Sequence, residues 1–464
     1  MFLSDYAAWL MGCGATCARI EKNIRRMSEA FGMESDMAVM PAHIHLSVWD
    51  KEHTESYSNI KRIHRCGISF NINTRLSKLS WDVADGRADF DKACTELEEI
   101  SRFPNHLICS GGRFYWDIYE LFRNVLEGLG KAAGGDAAAI VTVFVATLAG
   151  YRLKQIMLGA KADVRLTFFC SAFFSSVICT GSHLFGWGAT PEIAIGTSVL
   201  YLIPGIPYIN SVSDMLDGYI ETGFIRAVNT LLMVLAMAFG IAFAIKVCGI
   251  DNFAKTLTMT PHHEYWEYAI AAAVSAMGFS TIFNIPRRLL PVVAVGGIIA
   301  VCVRNFINLG PSNGNLGLDM GLTIGSLAGA TTVSIVVIKA RHWFHVPHQC
   351  ITIPSVIPMI PGVLMYRALF AFIEMHGVVG EVTVGMNNAI KASLAIICIA
   401  LGVAVPNLFF RRFIEDTRKR KLLAMLVERK KRNGEFVTPH AVGARVGGHR
   451  RTRKEKNHAR DTHE

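Results

Sequence analysis

Charge is scarce in this chain. Of 464 residues only 18% are Asp, Glu, Lys or Arg, against 51% hydrophobic, and the mean hydropathy is +0.33. A globular domain ordinarily carries about 25% charge. The shortage argues against a soluble enzyme and for a membrane protein with several crossings and a polar part. A cysteine framework is also missing. The 11 cysteines are odd in number and scattered, several in apolar runs, which reads as reduced thiol rather than a disulfide scaffold. Cys13 and Cys17 stand at helical i, i+4 spacing but lack further ligands nearby. No basic n-region or cleavage site marks the N-terminus, so no signal peptide is expected. There is no Gly-rich phosphate loop, which disfavours an ATP-driven pump, and no nucleophile-elbow context for Ser, His and Asp. No cofactor and no catalytic residue are expected.

What the chain does have is a doubled apolar segment. One copy, LYLIPGIPYINSVSD, holds Pro204 and Gly205; the other, IPMIPGVLMYRALFAF, holds Pro361 and Gly362. Proline and glycine inside a membrane helix free backbone groups, which persist only where protein or a water-filled cavity satisfies them. Paired broken helices in two halves point to a transporter with its site between the halves. A packing kink is the plainer alternative, since both residues are common in membrane helices.

Residues 1–103 are too polar to span. They read as a small α/β domain: a helix over Leu3–Phe31, strands over Met37–Val48 and Tyr57–Cys66, and helices over Thr74–Asp85 and Phe90–Arg102. Nine apolar stretches follow: Ala137–Met157, Leu166–Phe185, Ile193–Ile209, Phe224–Val247, Tyr268–Ile285, Leu289–Phe306, Leu316–Ile338, Ile351–Ile373 and Val384–Phe410. Basic loops alternate with loops poor in Lys and Arg. Cytoplasmic loops carry the excess of basic residues, so both termini are expected in the cytoplasm. That requires a tenth span between Pro104 and Gly135, where six charged residues make a poor one. Ten spans divide into two five-span halves of opposite topology, 104–250 and 265–410. Residues 411–464 form a basic tail with 17 Lys/Arg against 7 Asp/Glu. Such a tail suits anionic lipid at the cytoplasmic face better than nucleic acid, for which no folded motif is present.

Several polar residues follow the breaks. Asn210 and Asp214 lie just after the first, and Arg226 begins the next helix. Asp214 is a candidate for proton coupling or for holding a substrate ammonium; a helix cap or a pair with Arg226 is the alternative. Tyr366 and Arg367 follow the second break, where a buried arginine needs a carboxylate from substrate or protein. Lys391 reads as a snorkelling side chain. His43, His45 and His64 are the right type for zinc, but histidines pairing on a small sheet explain them more simply.

The helix GCGATCARIEKNIRRMSEAFGM with the following MPAHIHLSV resembles the N-terminal domain of the threonine/serine exporter family. LIPGIPYINSVSDMLDGYIETGFIRAVNTLL resembles that family's first membrane half. FNIPRR at 283–288 and IPSVIPMIPGVLMYRALF at 353–370 resemble the smaller partner of its two-protein forms. The resemblance implies a ten-span inner-membrane exporter with both components fused in one chain. It implies efflux of small hydrophilic metabolites driven by protons, with threonine and serine as name substrates and dicarboxylates attributed to split relatives. A membrane-anchored enzyme or sensor is the rival reading. Partners are then a small-molecule substrate, protons and lipid, with homo-oligomerisation left open.

Overall fold

A computed structural model describes residues 1–102 apart from 41, 51, 65 and 66, then 137–186, 191–249, 265–311, 316–344, 346–362, 364, 365, 367, 368 and 379–410. The expected span at 104–135, Tyr366 and the tail at 411–464 lie outside the described residues. The chain divides into two units, Met1–Val405 and Pro406–Glu464, and all the packing below lies within the first.

The N-terminal part begins with α1 (Phe2–Gly12) and α2 (Cys17–Ala30), where one continuous helix was expected. Gly14 causes the break. It takes φ +93°, a left-handed value that L side chains resist. Gly14 N–H then donates to Met11 O at 3.1 Å and Ala15 N–H to Leu10 O at 3.1 Å, the Schellman pattern that ends a helix. Beyond it α2 is amphipathic, burying Ile20, Ile24 and Met27, with Lys22, Arg25 and Glu29 exposed and Arg19 and Arg26 bonded to Ser77 and Ser80 of the following helix.

The single strand expected over Met37–Val48 is a hairpin instead. β1 (Met33–Val39) and β2 (His43–Asp50) pair antiparallel, with Met37 opposite Leu46, and β3 (Ser56–Arg62) adds to the far side of β2. The reversal falls between Val39 and His43. Alternation along β2 buries Ile44 and Leu46. Helices α3 (Phe70–Ala84) and α4 (Phe90–Ser101) are capped by Ser69 and Asp89, whose side chains accept from Ile72 N–H and Lys92 N–H. One apolar core joins α1, α2, β2, α3 and α4.

The apolar helices are α5 (Ala137–Gly159), α6 (Val164–Leu184), α7 (Pro191–Thr197), α8 (Gly205–Leu216), α9 (Ile220–Val247), α10 (Tyr265–Ile282), α11 (Leu290–Asn308), α12 (Leu322–Phe344), α13 (His348–Val356) and α14 (Val379–Phe409). Among the described residues six helices are long and apolar enough to cross a bilayer, and a seventh crossing counts if a bent pair is one span. That pair, Ala194–Leu202 with Gly205–Leu216, is bent by 53°. Tyr268–Ile285, expected as a span, forms α10 at the same length but three residues nearer the N-terminus. It stops at Ile282 because Asn284 turns left-handed at φ +52° and Pro286 follows. These features make the chain a multi-pass membrane protein.

Candidate functional site at the crossing of two interrupted helices

Both doubled segments are built the same way. In the first, α7 gives way to a 3-10 turn at Leu200–Leu202, then to Ile203-Pro204, and α8 restarts at Gly205. In the second, α13 gives way to a 3-10 turn at Ile357–Met359, then to Ile360-Pro361, and helix resumes at Gly362. Ile203 sits at φ −60°, ψ 119° and Ile360 at φ −63°, ψ 124°. Gly205 N–H donates to Ile203 O at 2.9 Å, and Gly362 N–H donates to Ile360 O at 2.8 Å. Pro204, at φ −81° and ψ 59°, is the centre of an inverse γ-turn. Each break thus satisfies part of its freed backbone within three residues.

The two breaks meet. A Cβ placed on Gly205 would lie 2.4 Å from Ile360 Cδ1, and one on Gly362 would lie 2.2 Å from Ile203 Cδ1. Each glycine therefore receives the isoleucine of the other Ile-Pro-Gly. The cores interlock likewise. Met365, Ala392 and Ile396 join the apolar cluster of α5, α6 and α9, while Ile206 and Ile209 join the cluster of α10 to α13.

Polar residues follow both breaks in the chain. Arg367, five residues past Gly362, has Nε and Nη2 buried with no hydrogen-bond partner among the described residues. Asn210, five residues past Gly205, donates from Nδ2 to Gly14 O at 2.9 Å, and its Oδ1 is buried without a partner. Unpaired buried donors on a guanidinium are costly in an apolar bundle, and a carboxylate is their natural complement. Arg304, not singled out in the sequence, lies on α11 and donates to Met359 O at 3.4 Å. Its position within an apolar run was the available signal.

Asp214 is placed differently. It is fully buried, and both oxygens are engaged: Oδ1 accepts from Cys17 N–H at 2.7 Å, and Oδ2 pairs with Arg226 Nη1 at 2.6 Å. Cys17 opens α2, so the carboxylate sits on a helix N-terminus, where free N–H groups and the helix dipole favour an anion. Arg226 Nη2 also donates to Ala15 O at 3.1 Å, Thr222 Oγ1 to Val39 O at 2.8 Å, and the Tyr219 hydroxyl to the Glu21 carboxylate. Burial, with Asp214 beside it, pushes the Cys17 thiol up to about 12. His64 stacks on Trp9 at 4.5 Å. Among the described residues no three His, Cys, Asp or Glu stand close enough to hold a metal.

A family model for the threonine/serine exporters (ThrE) matches residues 1–248, and a second, described as "Threonine/Serine exporter, ThrE", matches residues 268–409. Among curated proteins the chain is similar to a "Probable succinate transporter subunit YjjP" of Klebsiella aerogenes, 27% identical over 53% of this chain and 93% of that protein. The protein of the same name from Escherichia coli K12 is 25% identical over 53% of this chain and 93% of its own length. A rhamnulokinase of Bacteroides thetaiotaomicron is 70% identical over 48 residues, a stretch amounting to 10% of each chain and too short to bear on function. No solved structure matches.

Proposed function

The chain belongs to the threonine/serine exporter family, a family of transporters rather than enzymes, and from that premise we propose that it is a secondary exporter of small hydrophilic metabolites of the threonine/serine type. The observation that carries the site is the reciprocal seating of Gly205 on Ile360 and of Gly362 on Ile203. Like parts of two segments exchanging the same contact is what a pseudo-two-fold axis in the membrane plane produces. On this reading the halves 104–250 and 265–410 are inverted five-span repeats, and the crossing lies near the bilayer midplane of the inner membrane. Both termini are then cytoplasmic, and the proton gradient drives efflux. Pro204, Gly205, Pro361 and Gly362 shape the backbone of the site. Asn210 and Arg367 offer it their unpaired atoms, and Tyr366 belongs with them by position. For Asp214 we choose anchoring over proton coupling, because both of its oxygens are already engaged.

A dicarboxylate is the second reading. It is favoured by the succinate transporter name of the relatives and by the open guanidinium of Arg367. Counterflow of labelled serine, threonine and succinate in proteoliposomes decides between them, with and without a pH difference. One class should move, and collapsing the pH difference should slow it. Arg367→Ala should cut that flux at least about tenfold, since a lost charge-assisted bond is worth ~1.5–3 kcal/mol, while the protein still elutes as a folded species. Wild-type flux in Arg367→Ala would remove the arginine from the site; no flux of any of the three compounds in the wild type would sink the exporter reading.

A further inference from the structure

The N-terminal part touches both membrane halves, and the two sets of contacts differ in kind. Toward the first half it makes the Asp214 clasp on Cys17, the Arg226 bond to Ala15, the Asn210 bond to Gly14, the Thr222 bond to Val39 and the Tyr219–Glu21 bond. Three of these bonds carry a charged partner: the Asp214 carboxylate, the Arg226 guanidinium and the Glu21 carboxylate. Toward the second half the bonds seen among the described residues are neutral. Phe70 N–H donates to Phe283 O at 3.0 Å, Asn71 N–H to Asn284 O at 3.0 Å, and Asn284 Nδ2 to Ser69 Oγ at 3.1 Å. Thr74 Oγ1 lies 3.5 Å from Cys350 Sγ, and Gln349 Nε2 donates to Thr16 Oγ1 at 3.4 Å. Ser69 N–H donates to Cys13 O at 3.1 Å, so both sets hang on one pair of adjacent loops.

We infer that residues 69–74 are a releasable latch on the second half, and that the N-terminal part stays fixed to the first half throughout transport. The inference rests on the exporter reading, because alternating access needs the halves to move against each other about their shared site. An element bonded to both halves must then let go of one. Giving up buried hydrogen bonds to charged groups, which would leave Asp214 and Arg226 short of partners, is costlier than exchanging neutral bonds with water, so the release falls at 69–74. The division of the family models agrees with this assignment. One model spans the N-terminal part together with the first half, and a separate model covers the second.

Two covalent locks on the full chain test it. Thr74→Cys brings a second thiol to Cys350; mild oxidation joins the two sulfurs, with the oxidant taking up the two electrons and the two protons leaving as the bond forms. Val39→Cys with Thr222→Cys, joined by a short bis-maleimide, each thiol adding across one maleimide double bond, locks the first-half side. Peptide mass analysis confirms each link, and Thr74→Cys with Cys350→Ser is the unlinkable control. The oxidised Thr74→Cys protein should lose at least tenfold in flux and regain it on reduction, while the first-half lock stays within about twofold of wild type. Full flux with the 74–350 link closed overturns the latch. Loss of flux in both locked proteins overturns the claim that the N-terminal part rides on the first half. Hydrogen exchange in unmodified protein gives a readout independent of flux: the Phe70 and Asn71 amides should exchange several-fold faster than the Cys17 amide under an imposed pH difference and substrate. Equal protection of all three would refute the latch even where no flux assay succeeds.

Discussion

Asp214 commits both carboxylate oxygens to structure, one to the first amide of α2 and one to Arg226. The residue carries charge where water is absent, and the arginine beside it is only 19% exposed. Removing one member of such a pair leaves the other charge uncompensated, at a cost of about 3–5 kcal/mol. Asp214→Asn is therefore expected to lower the unfolding temperature in detergent markedly while leaving the response of flux to the pH difference unchanged in the protein that remains folded. A variant with wild-type melting and altered pH response would return Asp214 to the coupling role. Cys17, its neighbour, gives a second expectation. An ordinary thiol titrates near about 8.5, and burial raises this one to about 12. The folded state then holds a proton that the unfolded state releases, so this contribution to stability is fully present below about pH 8.5 and declines as pH rises toward 12. At pH 8 the thiol should resist a hydrophilic maleimide in folded protein and react within minutes once denatured. Rapid labelling of the native protein would show that the seat of α2 opens readily.

At the scale of the element, the breaks matter more than the spans. Ile-Pro-Gly occurs at the same place in both segments, and the doubling was visible in the sequence because proline and glycine are unmistakable inside an apolar run. That each glycine would seat the other segment's isoleucine was not visible, since no local pattern encodes a partner 157 residues away (203 to 360). The N-terminal helix was legible in period but not in continuity. Gly14 reads as a tolerable interruption until the Schellman bonds around it are seen. The hairpin at β1 and β2 was missed for the converse reason, as the alternation on either side of Met-Pro-Ala merges into one apparent strand. Arg367 was legible as a charge out of place, whereas its unpaired nitrogens required coordinates. The crossing predicts graded substitutions. A methyl at Gly205 meets the mobile end of Ile360, and one at Gly362 the mobile ends of Ile203 and Leu200, so alanine there should be tolerated with a small loss of stability. Leucine overfills the contact and should cost about 1–3 kcal/mol, with flux falling further than stability because the halves are wedged apart. Measuring unfolding and flux on Gly205→Ala, Gly205→Leu and the matching pair at Gly362 checks this. If the two glycines respond differently in rank, the contact is not reciprocal in its energetics.

At the scale of the whole molecule, the chain reads as two proteins joined. One family model ends at residue 248 and the other begins at 268. The relatives named as a transporter subunit are matched over 93% of their length by only 53% of this chain. What holds the halves together is non-covalent and extensive. Ile206 and Ile209 sit in the second cluster, and Met365, Ala392 and Ile396 in the first. Interfaces of that apolar, interpenetrating kind resemble a domain core cut in two and belong to obligate partners. The peptide link between residues 249 and 265 should therefore be dispensable. Co-expressing residues 1–256 with residues 257–464 as separate chains, each with its own start, is expected to recover most of the flux of the intact protein, and the two pieces should copurify in mild detergent through a tag on either one. Neither piece alone should transport, because each carries only one Ile-Pro-Gly and so half of the crossing. Transport by residues 1–256 alone would place the whole path within the first half and remove the second from the site. Copurification without flux would mean that the link sets the approach of the halves, and the tether would then be part of the transport machinery.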